Sequence, residues 1–448
     1  MTYIVFSFDT EDYINPQGAD GILNCAEILR KEGIRGCFNV VAKLAEALKK
    51  WERQDIIDAL KYHEIETHSY AHSWHPTINE YTDIEDFEEA KRRFLEKELK
   101  AREILQDTLG VERLYAACPP GESVSYVAHY GYAEMGIPVY DGDRLIDENR
   151  GRNIFNCNIL STHYHLYLDS YLVKNTKEQI DADFDRIAQT KDVHVLAHHP
   201  QMALINSFCD LLNFNGENVP EEQWKLSDMR PKEYIEKFYE NFAYLAHKLK
   251  NDPRFEIVTY ADFARMQCSE KRTLTREMIP DIHAQLNESF FPVTTPNSFC
   301  VTDIFLACRD FLLGKSAHEC GFVYGFLDTP YAITEPVTLS AEQIRASAKE
   351  MENVGTYFLP TEYKVGECVI GPADWLCAAL AVLEGADEVT LNPASWQIDL
   401  DQFPWLRDMN LKGTWVHSKD FEDAYLSDRA RLQSWTIRLE KNTPRMIF

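Results

Sequence analysis

The chain has 448 residues, of which 72 are acidic and 46 basic, giving a net charge of −26; 45% are hydrophobic. That length is more than one hydrophobic core usually serves and predicts a large domain plus at least one smaller one. The acidic balance argues against a nucleic-acid or anionic-membrane partner, which would meet a repelling field.

No apolar run is long enough to span a bilayer. The opening MTYIVFSF alternates like a first strand and lacks a basic n-region, an apolar h-region and a cleavage site, so a cytoplasmic protein is expected. Cysteines number 11, scattered without C-x-x-C pairs, which fits reduced, mostly buried thiols better than a disulfide framework.

From residue 3 to about 268, short β-branched or aromatic runs alternate with helix-period segments, the pattern of βα units around a mainly parallel sheet or barrel. YIVFSF is followed by GILNCAEILRKEG, where Ile22, Leu23, Ala26 and Leu29 share a helical face and Gly33 supplies the stop. CFNVV leads into AKLAEALKK, EIET precedes a histidine cluster, RLYAAC precedes PPGES, VHVLAHHP ends in two histidines, and FEIVTY precedes ADFARM. Polar chemistry thus follows strands repeatedly, which in a parallel barrel puts it on one rim. Gln201 to Pro231 is a long connection without periodicity, either a lid over that rim or a surface excursion.

Past Cys268 the polar SEKRTLTREMIPDIHAQ reads as a boundary, dividing the chain into 1–268 and a smaller α+β region, 269–448. Within the second part FFPVTTPNSFCVTDIFLACRDFL and YFLPTEYKVGECVIGPADWLCAALAVL echo one another, with aromatic helix starts at Phe305 and Trp375. Trp396, Trp405, Trp415 and Trp435 crowd the end, where core use outweighs an aromatic binding surface.

Two clusters carry the chemistry. HEIETHSYAHSWHP places His68 and His72 four apart, so that one helical turn would bring both imidazoles to the same side, as a divalent metal requires together with a carboxylate. SFDTEDY sets Asp9, Glu11 and Asp12 directly behind a buried strand, an unusual place for solvated acids. His75, before Pro76, can reach the rim to contact substrate or support the metal ligands. STHYHLYLDSY, with His163 and His165, reads as a half-buried strand rather than a sugar-stacking wall.

In this order, strand, acidic cluster, H-S/T-x-x-H, Pro-Gly loop and a late strand ending in His, the chain resembles the polysaccharide deacetylase superfamily with its NodB-type domain, over roughly residues 3 to 268. The resemblance implies a distorted barrel of about seven βα units and a metal-dependent hydrolase that removes acyl groups from amide nitrogen. It implies that His68 and His72 bind the metal, that Asp9 is the base, and that a backbone amide in the loop of Pro120 and Gly121 holds the oxyanion. His198 or His199 would protonate the leaving amine, with His199 favoured because Pro200 follows it. The usual second Asp is Thr10, so the carboxylate ligand falls to Glu11 or Asp12. Where the family carries an Arg that steadies the base, this chain has Cys118, so either another cation substitutes or the base is weaker. Asp141 or Asp143, in YDGD, would orient the acid histidine.

The cofactor expected is a divalent metal, zinc by default. The substrate expected is an N-acylated carbohydrate or a related small amide. A catalytically silent glycan-binding protein is the alternative, with Cys118 as its first sign. The C-terminal segments faintly resemble pseudomurein-binding repeats; polymer contact, homo-oligomer packing or substrate gating would each explain them.

Overall fold

The computed structural model describes residues 1–120, 125–142, 153–162, 164–268, 271–294, 298–352, 358–412 and 416–440. In chain order the strands that build the main sheet are β1 (Thr2–Thr10), β2 (Cys37–Val40), β3 (Glu64–Thr67), β4 (Ala116–Ala117), β5 (Val139–Asp141), β6 (Ile154–Asn156), β7 (Ile159–Thr162), β8 (Tyr164–Tyr167), β9 (Val193–His198) and β10 (Phe255–Ile257). Their spatial order is β6-β7-β5-β4-β3-β2-β1-β9-β8, with β10 added to the start of β1. Every pair from β7 round to β8 is parallel, and the β6–β7 hairpin reverses. The sheet curls far enough for Tyr164 on β8 to meet Cys118 just beyond β4, while its two ends do not pair among the described residues. This is the distorted α/β barrel that the alternating pattern predicts.

Alternation along β1 sorts its side chains between two environments. Phe6 and Phe8 point outward into the helical layer, where Phe8 stacks on Phe38 at 4.6 Å and both meet Phe242 of the helix Lys232–Asn251. Ser7 and Asp9 point inward, and the Asn39 amide donates to both at 2.9 Å. Between β3 and β4 only Thr67 and Ala117 pair, because the buried Glu66 carboxylate accepts the Tyr115 and Ala116 amides at 2.6 and 2.8 Å. A side chain there replaces ladder bonds between neighbouring strands.

Residues beyond 268 share a hydrophobic core with Phe87, Tyr126, Tyr130 and Ile154 of the barrel part, and the strand Arg438–Leu439 pairs antiparallel with β6. The two echoing segments form the helices Val301–Leu312 and Pro372–Leu383, packed through Phe305 and Trp375 at 4.7 Å. Each begins before its aromatic residue. Asp303 accepts the Cys300 amide at 3.1 Å and Asp374 accepts the Gly371 amide at 3.1 Å, so caps rather than aromatics set the starts. Trp375 and Trp435 are fully buried, Trp396 and Trp405 pack on the same core, and Trp415 lies outside the described residues. All eleven cysteines are free, most of them buried. Among the described residues no helix is long and apolar enough to cross a membrane.

Candidate active site

The carboxyl ends of β1, β3, β4, β8 and β9 converge, as expected for one rim of a parallel barrel. At the end of β1 the chain turns so that Glu11 enters the site while Asp12 is consumed locally. Asp12 Oδ1 accepts the Ile14 and Asn15 amides at 2.9 Å each, and Oδ2 accepts the Asn15 side-chain amide at 2.6 Å. Burial pushes the Asp12 carboxyl up to about 6 against those bonds.

His68 and His72 do not lie on a helix. They flank a tight turn in which Ser69 and His72 adopt left-handed φ of 70° and 53°, and Ser69 Oγ accepts the His72 amide at 3.1 Å. Such angles cost a non-glycine residue about 1 kcal/mol or more, and the surroundings offset it. The Ser69 and Tyr70 carbonyls accept the Ala42 and Lys43 amides, both at 3.1 Å, at the first turn of the helix Ala42–Lys50, which has spare donors there. The turn achieves what a helical spacing was expected to do: the rings sit 4.8 Å apart.

Glu11 Oε2 lies 2.9 Å from His72 Nε2 and 3.4 Å from His68 Nε2, and the three residues each offer a ligand atom within 4.8 Å of the others. Both His68 ring nitrogens are buried without a hydrogen-bond partner. Buried polar atoms rarely stay unsatisfied, and two imidazoles plus one carboxylate is a donor set suited to a divalent transition metal, so the residues fit such an ion. Burial alone would raise the Glu11 carboxyl, but the His72 and His199 charges, the close approach of His68 and the bond to His72 hold it well below the usual range. His72 is driven the opposite way: burial disfavours its charge, yet Asp210 and Glu11 push its pKa well above normal. Asp210, 2.9 Å from His72 Nδ1, comes from the long connection after β9. That connection also sets Phe208 edge-on against His199, so it walls the site rather than straying from it.

Asp9 lies beside this cluster. Asn39 donates to its Oδ1 at 2.9 Å and the Tyr164 hydroxyl to its Oδ2 at 2.9 Å, with the Cys118 thiol 3.4 Å from Oδ1. Burial, together with Asp9 and Asp141, keeps Cys118 a thiol. Three neutral donors, Asn39, Tyr164 and Cys118, thus surround Asp9, with Cys118 standing where the resemblance implied an Arg.

Of the two late histidines, alternation turns His198 outward beside Phe8 in register, where it stacks on Phe238 at 4.6 Å. His199 faces inward, its Nε2 3.7 Å from Asp9 Oδ2 and its Nδ1 2.8 Å from Asp169 Oδ2. Asp169 also meets His198 Nδ1 at 2.6 Å. Burial opposes charge on His199, but Asp169, Glu11 and Asp9 raise it to about 10; burial lowers His198.

The remaining expected residues are placed elsewhere. His75 has both ring nitrogens taken, Nδ1 by Glu80 at 2.9 Å and Nε2 by the Phe214 carbonyl at 2.8 Å. Asp141 bonds Tyr260 and Ser7 in the barrel interior, and it is Asp169 that holds His199. Pro120 is buried but has no N–H to donate. Gly121, Asp143 and His163 lie outside the described residues. Sequence reasoning missed Asp169, Asp210, Tyr164 and Asn39; the one hint was an acid two residues past the end of β8.

No family model and no curated protein matches the chain. Solved structures similar to it include a peptidoglycan deacetylase from Bacillus subtilis, at 15% identity over 63% of this chain and 96% of that one, with a TM-score of 0.32. They also include the family 4 carbohydrate esterase from Streptomyces lividans, at 11% identity over 57% and 91%, TM-score 0.30. A 4-α-glucanotransferase from Thermococcus litoralis matches at 10% identity over 64% of this chain and 46% of that chain, TM-score 0.40. Deacetylases thus recur among the structural neighbours, and the chemistry below rests on the geometry of this chain.

Proposed function

We propose that the chain is a metal-dependent hydrolase that cleaves an amide, removing the acyl group from an N-acylated sugar or a related small amide. The observation that carries this reading is the meeting of Glu11, His68 and His72 within ligand distance of one another, flanked by an acid–histidine pair on the same rim. Glu11 is taken as the carboxylate ligand because Asp12 already holds its own turn. A divalent ion held by these three, zinc by default, would act as a Lewis acid on water and on the acyl carbonyl.

The residues divide the remaining work. Asp9, oriented by Asn39 and Tyr164, accepts the proton of the attacking water. The hydrogen bonds it accepts from Asn39, Tyr164 and Cys118 fix the position of its carboxylate. His199 carries its proton at Nε2 because Asp169 holds Nδ1, and it delivers that proton to the departing nitrogen. Phe208 and the Cys209–Asn213 helix exclude water from one side. An oxyanion donor would come from the segment around Gly121, as the resemblance implies, outside the described residues.

Metal analysis and acetate release together test this. Purified protein should hold about one divalent ion per chain and release acetate from an N-acetylated oligosaccharide or small N-acetyl amide. His72→Ala should lose both. Wild-type protein that binds glycan, holds no metal and hydrolyses neither class would support the silent binder instead.

A further inference from the structure

A second cavity, of about 370 Å³, opens where Arg438–Leu439 joins β6, and shares no residue with the site above. Its lining runs against the acidity of the chain: among the described residues Lys271, Arg272 and Arg438 face a single carboxylate, Asp303. Fully buried, it accepts through Oδ2 from Arg272 at 2.7 Å and from the Cys300 amide at 3.1 Å, while Oδ1 has no hydrogen-bond partner among the described residues.

Arg438 makes no close ion pair among the described residues; its guanidinium carbon sits 3.5 Å from the centre of the Phe155 ring. Burial, with Arg272 beside it, pushes this group down to about 10 against the more distant attraction of Asp303, so the counter-charge present does not offset its desolvation. Half-buried guanidinium groups normally find an anion, and planar forks favour phosphate or carboxylate. With Arg272 neutralised by Asp303, two positive charges remain, which match a dianion better than a monoanion.

We propose that this cavity binds a small phosphorylated molecule, its phosphate held by Arg438 and Lys271 and its body resting on Phe155 and Phe322. The cavity therefore gives an acidic hydrolase-like chain a local anion site remote from its metal ligands in sequence and lining.

Calorimetric titration of the full chain with inorganic phosphate at pH 8 and low salt tests it, with acetate as the monoanion. Saturable phosphate binding is expected, with acetate weaker by about tenfold or more. Arg438→Met should weaken phosphate about tenfold or more, the exposed Lys271→Met a few-fold, and His72→Ala should leave it unchanged. Lys271→Met keeps the test decisive should Arg438→Met fail to fold. Absence of saturable binding, equal binding of acetate, or binding lost in His72→Ala but kept in the Lys271 and Arg438 variants would overturn the proposal. The last result would place the phosphate at the metal site, leaving the hydrolase reading intact.

Discussion

Asp169 touches two consecutive histidines, but β-strand alternation lets only His199 face Asp9 and Glu11. Its carboxylate keeps Nδ1–H fixed and holds the imidazolium charged; burial raises the Asp169 carboxyl, but both histidines pull it far below the usual range. Asp169→Asn should therefore lower the His199 pKa from about 10 toward neutrality. A general acid is active below its pKa, so the alkaline limb of the kcat/KM profile should move to lower pH, with a rate loss of about 10- to 100-fold at pH 8. A merely structural residue would lower the rate without moving the limb. Much of this shell was invisible in sequence. His68, His72 and the acids of SFDTEDY announce themselves by spacing, whereas Asp169 and Asp210 lie in segments with no ligand pattern and reach the site only through the curl of the sheet. Glu11 and Asp12 were inseparable as neighbours, although an Asp three before an Asn is a turn-forming pair.

At the scale of elements, the site depends on two close approaches. The turn from Ser69 to His72 is pinned to the start of the helix Ala42–Lys50, which is why a four-residue spacing serves without a helix. The helix Asp20–Lys31 presses on the strap after His199: a Cβ on Gly21 would lie 2.2 Å from the Pro200 carbonyl oxygen. Gly21→Ala should gain helix propensity of about 1 kcal/mol yet lose more to the clash, a net destabilisation of about 1–2 kcal/mol. Because Pro200 must move, His199 moves too, and kcat should fall while bound metal is retained; denaturant melts beside metal analysis check both. The strands and the first helix were legible because hydrophobic period and buried runs are local. The Glu66 splice between β3 and β4 was not, since a carboxylate in a strand gives no sign of which amides it will accept.

The molecule as a whole carries −26 and buries several carboxyls, so its stability should depend on pH away from the site as well. Glu98, on the helix Phe87–Leu109, is pushed by burial from 4.5 up to about 7, partly offset by the Tyr70 amide and the Tyr132 hydroxyl. A carboxyl raised on folding contributes stability below its unfolded pKa and loses it as pH rises through the folded one. Relative to Glu98→Gln, wild-type protein should lose about 3 kcal/mol between pH 4.5 and pH 8, measured by urea melts. The C-terminal part was legible as helices and short strands; its sharing of a core with Phe87 and Tyr130 was not, because such contacts leave no local pattern. The hydrolase reading turns on one cation site. Anomalous diffraction from a crystal of metal-loaded protein, collected at the metal edge, tests it most directly. A single strong peak bounded by Glu11, His68 and His72 is the predicted result. A map with no peak there, or with Asp12 rather than Glu11 reaching the ion, would contradict it.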